Sequence, residues 1–366
     1  MRVLHVTMTG TAAGAGVRRH IESLVPLEVR FGIEALVVAI QESGEMGGRL
    51  RSQSIPVFEL CSTTGLNVTL LIRFWQFLNK VRPNIVHFHT LRLIPLLVAG
   101  LRCFPAVLTF HVVPEARVFG RFRITEFFTA RFLRGAIAIS SSVRERIQGY
   151  GYYPRTIWET ISNGVDRDAF FPAERPPTWG RESPFLVSIM ARLDPVKRVS
   201  DALEAVARVH RHGANVRLWV IGTGQLSEAL RQEAKRLEIS EVVQFWGHQE
   251  QPSQLLRQSH LFLMLSEYEP FGLAPLEAAS CGVPVLSYPR CGGVEDWLWT
   301  GHGGIICKER TLDSAADEIL DLMSETTRWE RLRQSAISVA SEFSAERCAQ
   351  STVSFYKTIL AKKSRI

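Results

Sequence analysis

Several common chemistries are missing from this sequence, and each absence narrows its function. Its six cysteines, at positions 61, 103, 281, 291, 307 and 348, include no Cys-x-x-Cys pair and no metal spacing. That excludes a zinc ribbon or a thioredoxin-type dithiol and leaves thiols expected to stay reduced. No Gly-Lys-Ser/Thr triplet closes a P-loop. No stretch reaches the ~18 uncharged apolar residues needed to span a bilayer. Basic residues form no long block, only the Lys362-Lys363-Ser364-Arg365 ending, so a dedicated nucleic-acid arm is not expected. The chain opens on Met1-Arg2-Val3-Leu4-His5-Val6, which reads as a strand rather than a charged leader. No signal peptide is therefore expected, and the location expected is cytoplasmic.

What remains is an ordinary globular chain. Its 366 residues are 46% hydrophobic, enough for two domains at roughly 150 residues each. A net charge of +7 favours anionic company, whether polyphosphate ligand, anionic lipid or nucleic acid. Short β-rich apolar runs alternate with helix-length segments throughout, the pattern of a parallel α/β architecture. The spacing predicts strands at 3–8, 35–39, 85–88, 106–110 and 136–139. The rhythm repeats at 185–190, 216–221, 242–245, 261–265 and 283–286. Near-continuous Val, Ile and Leu suit strands covered on both faces. The proline-rich segment 170–180 has no periodicity and reads as the connection between two doubly wound domains. Their facing strand ends are the expected place for chemistry.

Three segments could hold a phosphorylated ligand. After the first strand, Gly14 and Gly16 precede an apolar helix, where a bare backbone and a helix N-terminus suit a phosphate. Arg19 occupies the third glycine position of a dinucleotide fingerprint, and the Gly222-Thr223-Gly224 turn lacks that third glycine too. An NAD-dependent oxidoreductase is therefore disfavoured. After the strand at 185–190, Arg192 and Lys197 can reach one diphosphate, the first as a fork and the second as a point charge. After the strand at 261–265, Glu269 falls on a loop broken by Pro270 and Gly272. Glu277 follows in a helix begun near Pro275. Carboxylates beside the amides of Phe271, Gly272 and Leu273 are what polyol recognition needs.

The Glu269 to Glu277 segment resembles the E-x7-E motif of glycosyltransferase family 4, the large retaining family with mannosyl-, glucosyl- and N-acetylglucosaminyltransferases. The resemblance spans nearly the whole chain. It takes in the loop at Gly14 and Gly16, Thr109-Phe110-His111, Ser140-Ser141-Ser142, Asn163-Gly164-Val165-Asp166 with Phe170, Arg192 with Lys197, Gly222-Thr223-Gly224, Gly247-His248 and Gly292-Gly293. Two departures stand out: Ser162 replaces a frequent proline, and Val17-Arg18-Arg19 replaces a frequent acidic position.

The resemblance implies a GT-B fold, with two Rossmann-like domains facing across a cleft. The first, at 1–170, would take the acceptor and the second, at 171–345, the donor. A tail at 346–366 would pack back on the first. The implied reaction moves a hexose or N-acetylhexosamine, with retention, from a UDP- or GDP-sugar to a glycan, lipid-linked or small-molecule acceptor. No metal or other cofactor is implied. Gly16 would offer its amide to the diphosphate, and Arg192 and Lys197 would neutralise it as it leaves. Glu269 and the amides at 271–273 would hold sugar hydroxyls, Glu277 the ribose diol, and the backbone at Gly247 and His248 the base. His111 would stand beside the transferred sugar. A nucleotide-sugar epimerase or a non-catalytic sugar-nucleotide binder would use the same cleft.

Three patterns invite other readings. Asp166-Arg167-Asp168 spells D-x-D but falls inside the junction run. His87 and His89 share one face of a strand, and such a pair reads as packing rather than a metal site. Phenylalanines alternate with arginines over 117–134, as on helices that lie on anionic membranes or as on a buried crossover helix. Peripheral membrane contact is thus one expectation for that run.

Overall fold

In a computed structural model of the chain, residues 1–10, 15–62, 68–113, 130–151, 153 and 155–362 are described. The chain forms two compact units, Met1–Gly164 together with Ala345–Ile366, and Val165–Ser344. The first holds β1 (Arg2–Thr7), β2 (Glu34–Ala39), β3 (Val57–Glu59), β4 (Ile85–Phe88), β5 (Ala106–Phe110), β6 (Leu133–Ala138) and β7 (Ile157–Thr160). Their order in the sheet is β3-β2-β1-β4-β5-β6-β7, with parallel pairing throughout. The second holds β8 (Phe185–Met190), β9 (Val216–Ile221), β10 (Val243–Gly247), β11 (Leu261–Met264), β12 (Val285–Ser287), β13 (Trp299–Thr300) and β14 (Gly303–Ile306). Their order is β10-β9-β8-β11-β12-β14-β13.

Both sheets are wound the same way. The chain begins at a central strand, walks outward by two, then returns to the other side of its first strand. The reversal lies between β1 and β4 in one unit and between β8 and β11 in the other. Ligands of open parallel sheets bind beyond the strand carboxyl ends at such a reversal. The winding alone therefore singles out the loops after β1 and β4, and those after β8 and β11.

Apolar continuity explains the central strands. Nearly every residue of β1, β4, β5, β8 and β11 is buried. The strands not expected from sequence are short and lie toward the sheet edges. β3 has three residues, with Val57 and Phe58 half-buried and Glu59 exposed, too brief for a visible alternation. β12 starts at Val285 rather than 283 because Gly282 takes a left-handed turn (φ +78) and Pro284 has no N–H to pair. β6 starts at Leu133 rather than 136. Gly135 sits inside it, leaving room for Phe355 and Ile359 on its face, where an added Cβ would lie 2.7 Å from Ile359 Cδ1.

Three helices carry or support the functional groups: α1 (Ala15–Arg30), α2 (Leu273–Ser280) and α3 (Ala345–Ala361). α3 closes the core of the first unit. Its Val353, Phe355, Tyr356 and Ile359 join one cluster with Val3, Val37, Ile85, Val107 and Ile137 from the strands. Ala345 and Ala349 pack with Leu24 and Leu27 of α1. The proline-rich run at 170–180, read from sequence as a connection, is packed on the second unit. Ser280 Oγ donates to the Phe170 carbonyl at 2.7 Å, and Trp179 Nε1 donates to the Met323 carbonyl at 3.0 Å. The Trp179 ring meets Phe185, His260 and Trp329 edge-on. The Phe170 carbonyl and the Trp179 indole thus fix the two ends of this run.

Ile359 is wholly buried against strands of the first unit. Ile359→Ala is expected to destabilise the chain by about 2–5 kcal/mol in denaturant unfolding. A loss under about 1 kcal/mol would mean that α3 contributes little to that core.

Candidate functional site

The second unit gathers its polar groups at the β8/β11 reversal. The loop leaving β8 is laced to the loop leaving β9: Ala191 N donates to Ile221 O and Leu193 N to Thr223 O, both at 3.0 Å. Gly222 permits this closeness. At φ +132 an added Cβ would stand 1.9 Å from the Ala191 carbonyl oxygen. Asp194 then organises the loop. Its carboxylate accepts from Arg192 Nε at 2.5 Å and from Lys197 N at 3.3 Å, capping the 3-10 turn Pro195–Lys197. The Arg192 side chain is largely exposed, so one nearly buried carboxylate aims a solvent-facing cation. Lys197 turns the other way and places Nζ 2.5 Å from Glu269 Oε2.

Glu269 is fixed by its backbone as firmly as by that ion pair. Its N–H donates to the Cys291 carbonyl at 2.7 Å, and its own carbonyl accepts from Gly293 at 2.8 Å. Trp297 Nε1 donates to the Phe271 carbonyl at 3.0 Å. Arg310 donates to the carbonyls of Pro289, Arg290 and Glu267, tying the loops after β12 and β11 together. Gly272 (φ +85) turns the chain into α2, and an added Cβ there would meet Pro275 Cγ at 2.9 Å and Glu269 Cγ at 3.4 Å. Because α2 begins at Leu273, its first amides have no intrahelical partner and carry the positive end of the dipole. Glu277 lies farther along α2 and is buried. Gly247 ends β10 and accepts from Gly222 N at 2.8 Å, with His248 exposed beyond it.

The structure thus brings Arg192, Lys197, Glu269 and the 271–273 backbone to one end of one sheet. It joins Gly247 to that end through Gly222, and places Glu277 in the helix that leaves it. Gly16 and His111 belong to the first unit. Gly16 is exposed near the start of α1, and Gly14 lies outside the described residues. Asp194 and Arg310 received no role in the sequence reading, and Gly222 was read there only as part of a glycine turn. Asp194, two positions after Arg192, offered the one usable signal, an N-cap residue directly before a proline.

His111 follows β5, is half-buried, and opens onto a chain of buried polar groups. His111 Nε2 is 3.3 Å from His89 Nδ1, and His89 Nε2 is 3.0 Å from His5 Nδ1. His5 Nε2 is 2.8 Å from Glu28 Oε2. On the other side Tyr356 OH donates to Glu28 Oε1 at 3.0 Å and meets His87 Nδ1 at 2.5 Å. His87 Nε2 is 2.7 Å from Thr109 Oγ1. Burial holds His87, His89 and His111 well below the usual imidazole range, with neighbouring histidines adding to the effect. His20 is lowered to about 4, chiefly by burial and then by His5. Ring nitrogens of His5, His87 and His89, and of His20, His89 and His111, lie within 4.8 Å of one another, close enough for a metal ion. Both nitrogens of His89 already have hydrogen-bond partners, however, which fits the pair at His87 and His89 as packed and hydrogen-bonded rings.

The other sequence features resolve simply. Asp166 Oδ1 accepts from Asp168 N at 3.0 Å and Ala169 N at 3.3 Å, so it closes a local turn. Arg18, at the departure from the family pattern, is buried and pairs with Glu45 at 2.5 Å. The six cysteines are free thiols, four of them buried. Among the described residues no helix is long and apolar enough to cross a membrane. The Phe/Arg run lies outside the described residues over 117–129.

This arrangement meets its relatives over both units. Residues 14–169 match the family model described as Glycosyltransferase Family 4, and residues 172–339 match that of Glycosyl transferases group 1. The chain belongs to glycosyltransferase family 4. It is 31% identical over 209 residues to the N-acetyl-alpha-D-glucosaminyl L-malate synthase of Bacillus anthracis, covering 55% of this chain and 52% of that one. It is 26% identical over 260 residues to the D-inositol 3-phosphate glycosyltransferase of Kribbella flavida, covering 67% and 60%. The chain thus spans about half to three-fifths of the length of these relatives. The fold is GT-B. Anabaena Alr3699/HepE in complex with UDP superposes with a TM-score of 0.84 at 19% identity, over 98% of this chain and 100% of that one. A glycosyltransferase from Rickettsia africae gives 0.83 at 17%, over 99% of each.

The depressed histidines make a pH prediction. A histidine whose folded pKa lies below its free value of 6.5 stabilises the fold above that pH. The stability is lost as pH falls toward the folded value, here about 4 for His20. Denaturant unfolding of the chain is expected to lose on the order of 3 kcal/mol from His20 alone across that window. His20→Asn should flatten the slope. Stability that stayed level between those pH values would contradict the burial of neutral rings.

Proposed function

We propose that this chain is a metal-independent, retaining glycosyltransferase that takes a hexose or N-acetylhexosamine from a nucleoside diphosphate donor. The observation that carries this is the pairing of two loops at the β8/β11 reversal. One offers the Asp194-anchored cations Arg192 and Lys197, the other Glu269 with the amide run into α2. A diphosphate needs the first and a sugar's hydroxyls need the second. The family membership supports the same assignment. UDP stands ahead of GDP as the donor nucleotide because a fold neighbour, HepE, was crystallised with UDP and with UDP-glucose. The acceptor is a glycan, a lipid-linked or a small hydroxylated molecule, and the work is proposed to be done in the cytoplasm, with peripheral contact at the inner membrane face.

Mechanistically, the donor's anomeric carbon loses its diphosphate while the acceptor hydroxyl attacks from the same face. Arg192, Lys197 and the α2 dipole stabilise the charge that develops on the departing oxygen. The leaving diphosphate takes the acceptor's proton, so the bond made to oxygen is balanced without a protein base. Glu269 leaves Lys197 for sugar hydroxyls as the diphosphate engages Lys197. Glu277 takes the ribose diol, the backbone at Gly247 and His248 meets the base, Gly16 offers its amide to the diphosphate, and His111 stands beside the sugar in the working enzyme.

The test is turnover of UDP- and GDP-sugars with and without EDTA, following nucleoside diphosphate release and the anomeric configuration of the product by NMR. Activity unchanged by EDTA with retained configuration is expected, and Lys197→Met should lower kcat by roughly 10²–10³-fold. Dependence on a divalent metal, an inverted product, or a Lys197→Met enzyme with normal kcat would each overturn a stated part of the proposal.

A further inference from the structure

The hydrogen bonds behind His111 have a direction, and it can be worked out from Glu28. Both Glu28 and His5 are fully buried, so an ionised Glu28 is acceptor-only and must be fed from both sides. On one side Tyr356 O–H donates to Oε1, so the Tyr356 oxygen accepts from His87 Nδ1–H, and His87 Nε2 accepts from the Thr109 hydroxyl. Each group on that arm has one consistent role. On the other side His5 Nε2–H donates to Oε2. A neutral His5 then has a bare Nδ1, which accepts from His89 Nε2–H. His89 Nδ1 is bare in turn and accepts from His111 Nε2–H. At the end of the line His111 presents a bare Nδ1.

We propose that Glu28, His5 and His89 are positioning residues that fix which nitrogen of His111 carries its proton, making its Nδ1 a hydrogen-bond acceptor for a sugar hydroxyl. The same line can invert. A proton taken up at His111 Nδ1 releases the Nε2 proton to His89 Nδ1, and the His89 Nε2 proton passes to His5 Nδ1. Each ring between the ends gains one proton and gives up one. The added charge ends on His5, which now carries protons on both nitrogens beside the Glu28 carboxylate. His111 becomes a donor without holding the charge itself. Burial disfavours a cation at His111, His89 or His87, and among the described residues only His5 has a carboxylate in contact to offset one. Among the described residues the ionisable groups facing the line are His20 beside His89 and His111, His87 beside His5 and His89, and Tyr356 and Cys348 beside Glu28. Burial keeps the Cys348 thiol neutral, at about 12, and raises Tyr356 well above its ordinary value. Neither competes for the proton.

The catalytic consequence rests on the proposed place of His111 beside the sugar; the hydrogen-bond direction does not. The test is two-bond 1H–15N correlation spectroscopy of the full chain with labelled histidine, without substrate, near neutral pH. Wild-type His89 and His111 are expected to be protonated on Nε2 with bare Nδ1. In Glu28→Gln the amide keeps the shape of the carboxylate but has one acceptor and one donor end, so one arm must invert. With its NH2 toward His5, His5, His89 and His111 all switch to the Nδ1–H form, and kcat falls at least roughly tenfold with KM for the donor nearly unchanged. With its NH2 toward Tyr356, His87 switches to Nε2–H instead and His111 keeps its proton on Nε2. Nδ1–H on wild-type His111, no switch on either arm in Glu28→Gln, or a stoichiometric metal bound by these rings in the purified chain would overturn the relay. Should Glu28→Gln not fold, the wild-type spectrum decides alone. A correct tautomer pattern in a chain that turns over no nucleotide sugar would remove the proposed function and leave the relay standing.

Discussion

One ion pair joins the two loops on which the second unit's site depends. Lys197, on the loop after β8, reaches Glu269, on the loop after β11, across the point where the strand order reverses. Both side chains are largely shielded from water, so neither partner is cheaply left alone. The rest of the site serves to hold this pair. Asp194 anchors the Lys197 backbone, the Cys291 and Gly293 backbones clamp Glu269, and Arg310 ties the loop beyond β12 to the loop that carries Glu269. Gly222 lets the β8 and β9 loops approach closely enough for Asp194 to be placed at all. In the proposed reaction the pair is the element that opens, as Lys197 passes to a diphosphate and Glu269 to the sugar it carries.

The first unit solves a different problem with the same winding. Its strand ends converge on imidazoles rather than on fixed cations, and burial keeps those rings neutral. One buried carboxylate, Glu28, the only one among the described residues of this unit, orders them. Tyr356 links that carboxylate to α3, so the helix that closes the hydrophobic core also fixes the polar line inside it. Packing and hydrogen bonding are therefore coupled in this unit, and α3 is common to both.

Much of this was legible in the sequence because it rested on local chemistry. The long apolar runs at 185–190, 216–221 and 106–110 correspond to strands with the same bounds. Pro270, Gly272 and Pro275 announced a broken loop and a helix start, which is where Glu269 and α2 stand. What stayed hidden depended on distance along the chain. Edge strands such as β3 and β7 are too short to show a period, and none of their residues is fully buried. Glu28 and Tyr356 are separated by 328 positions, so no spacing rule could join them. Arg310 is drawn into the site only because β12 and β14 are neighbours, which the sequence does not state.

The central claim is that the cations on the β8 loop hold a diphosphate. Calorimetric titration of the chain with UDP and with UMP tests it directly, since the two ligands share base and ribose and differ in the second phosphate. The account predicts much tighter binding of UDP, a preference that collapses in the Arg192→Met/Lys197→Met double variant while UMP binding persists. Equal affinity for UDP and UMP in the wild-type chain would contradict it.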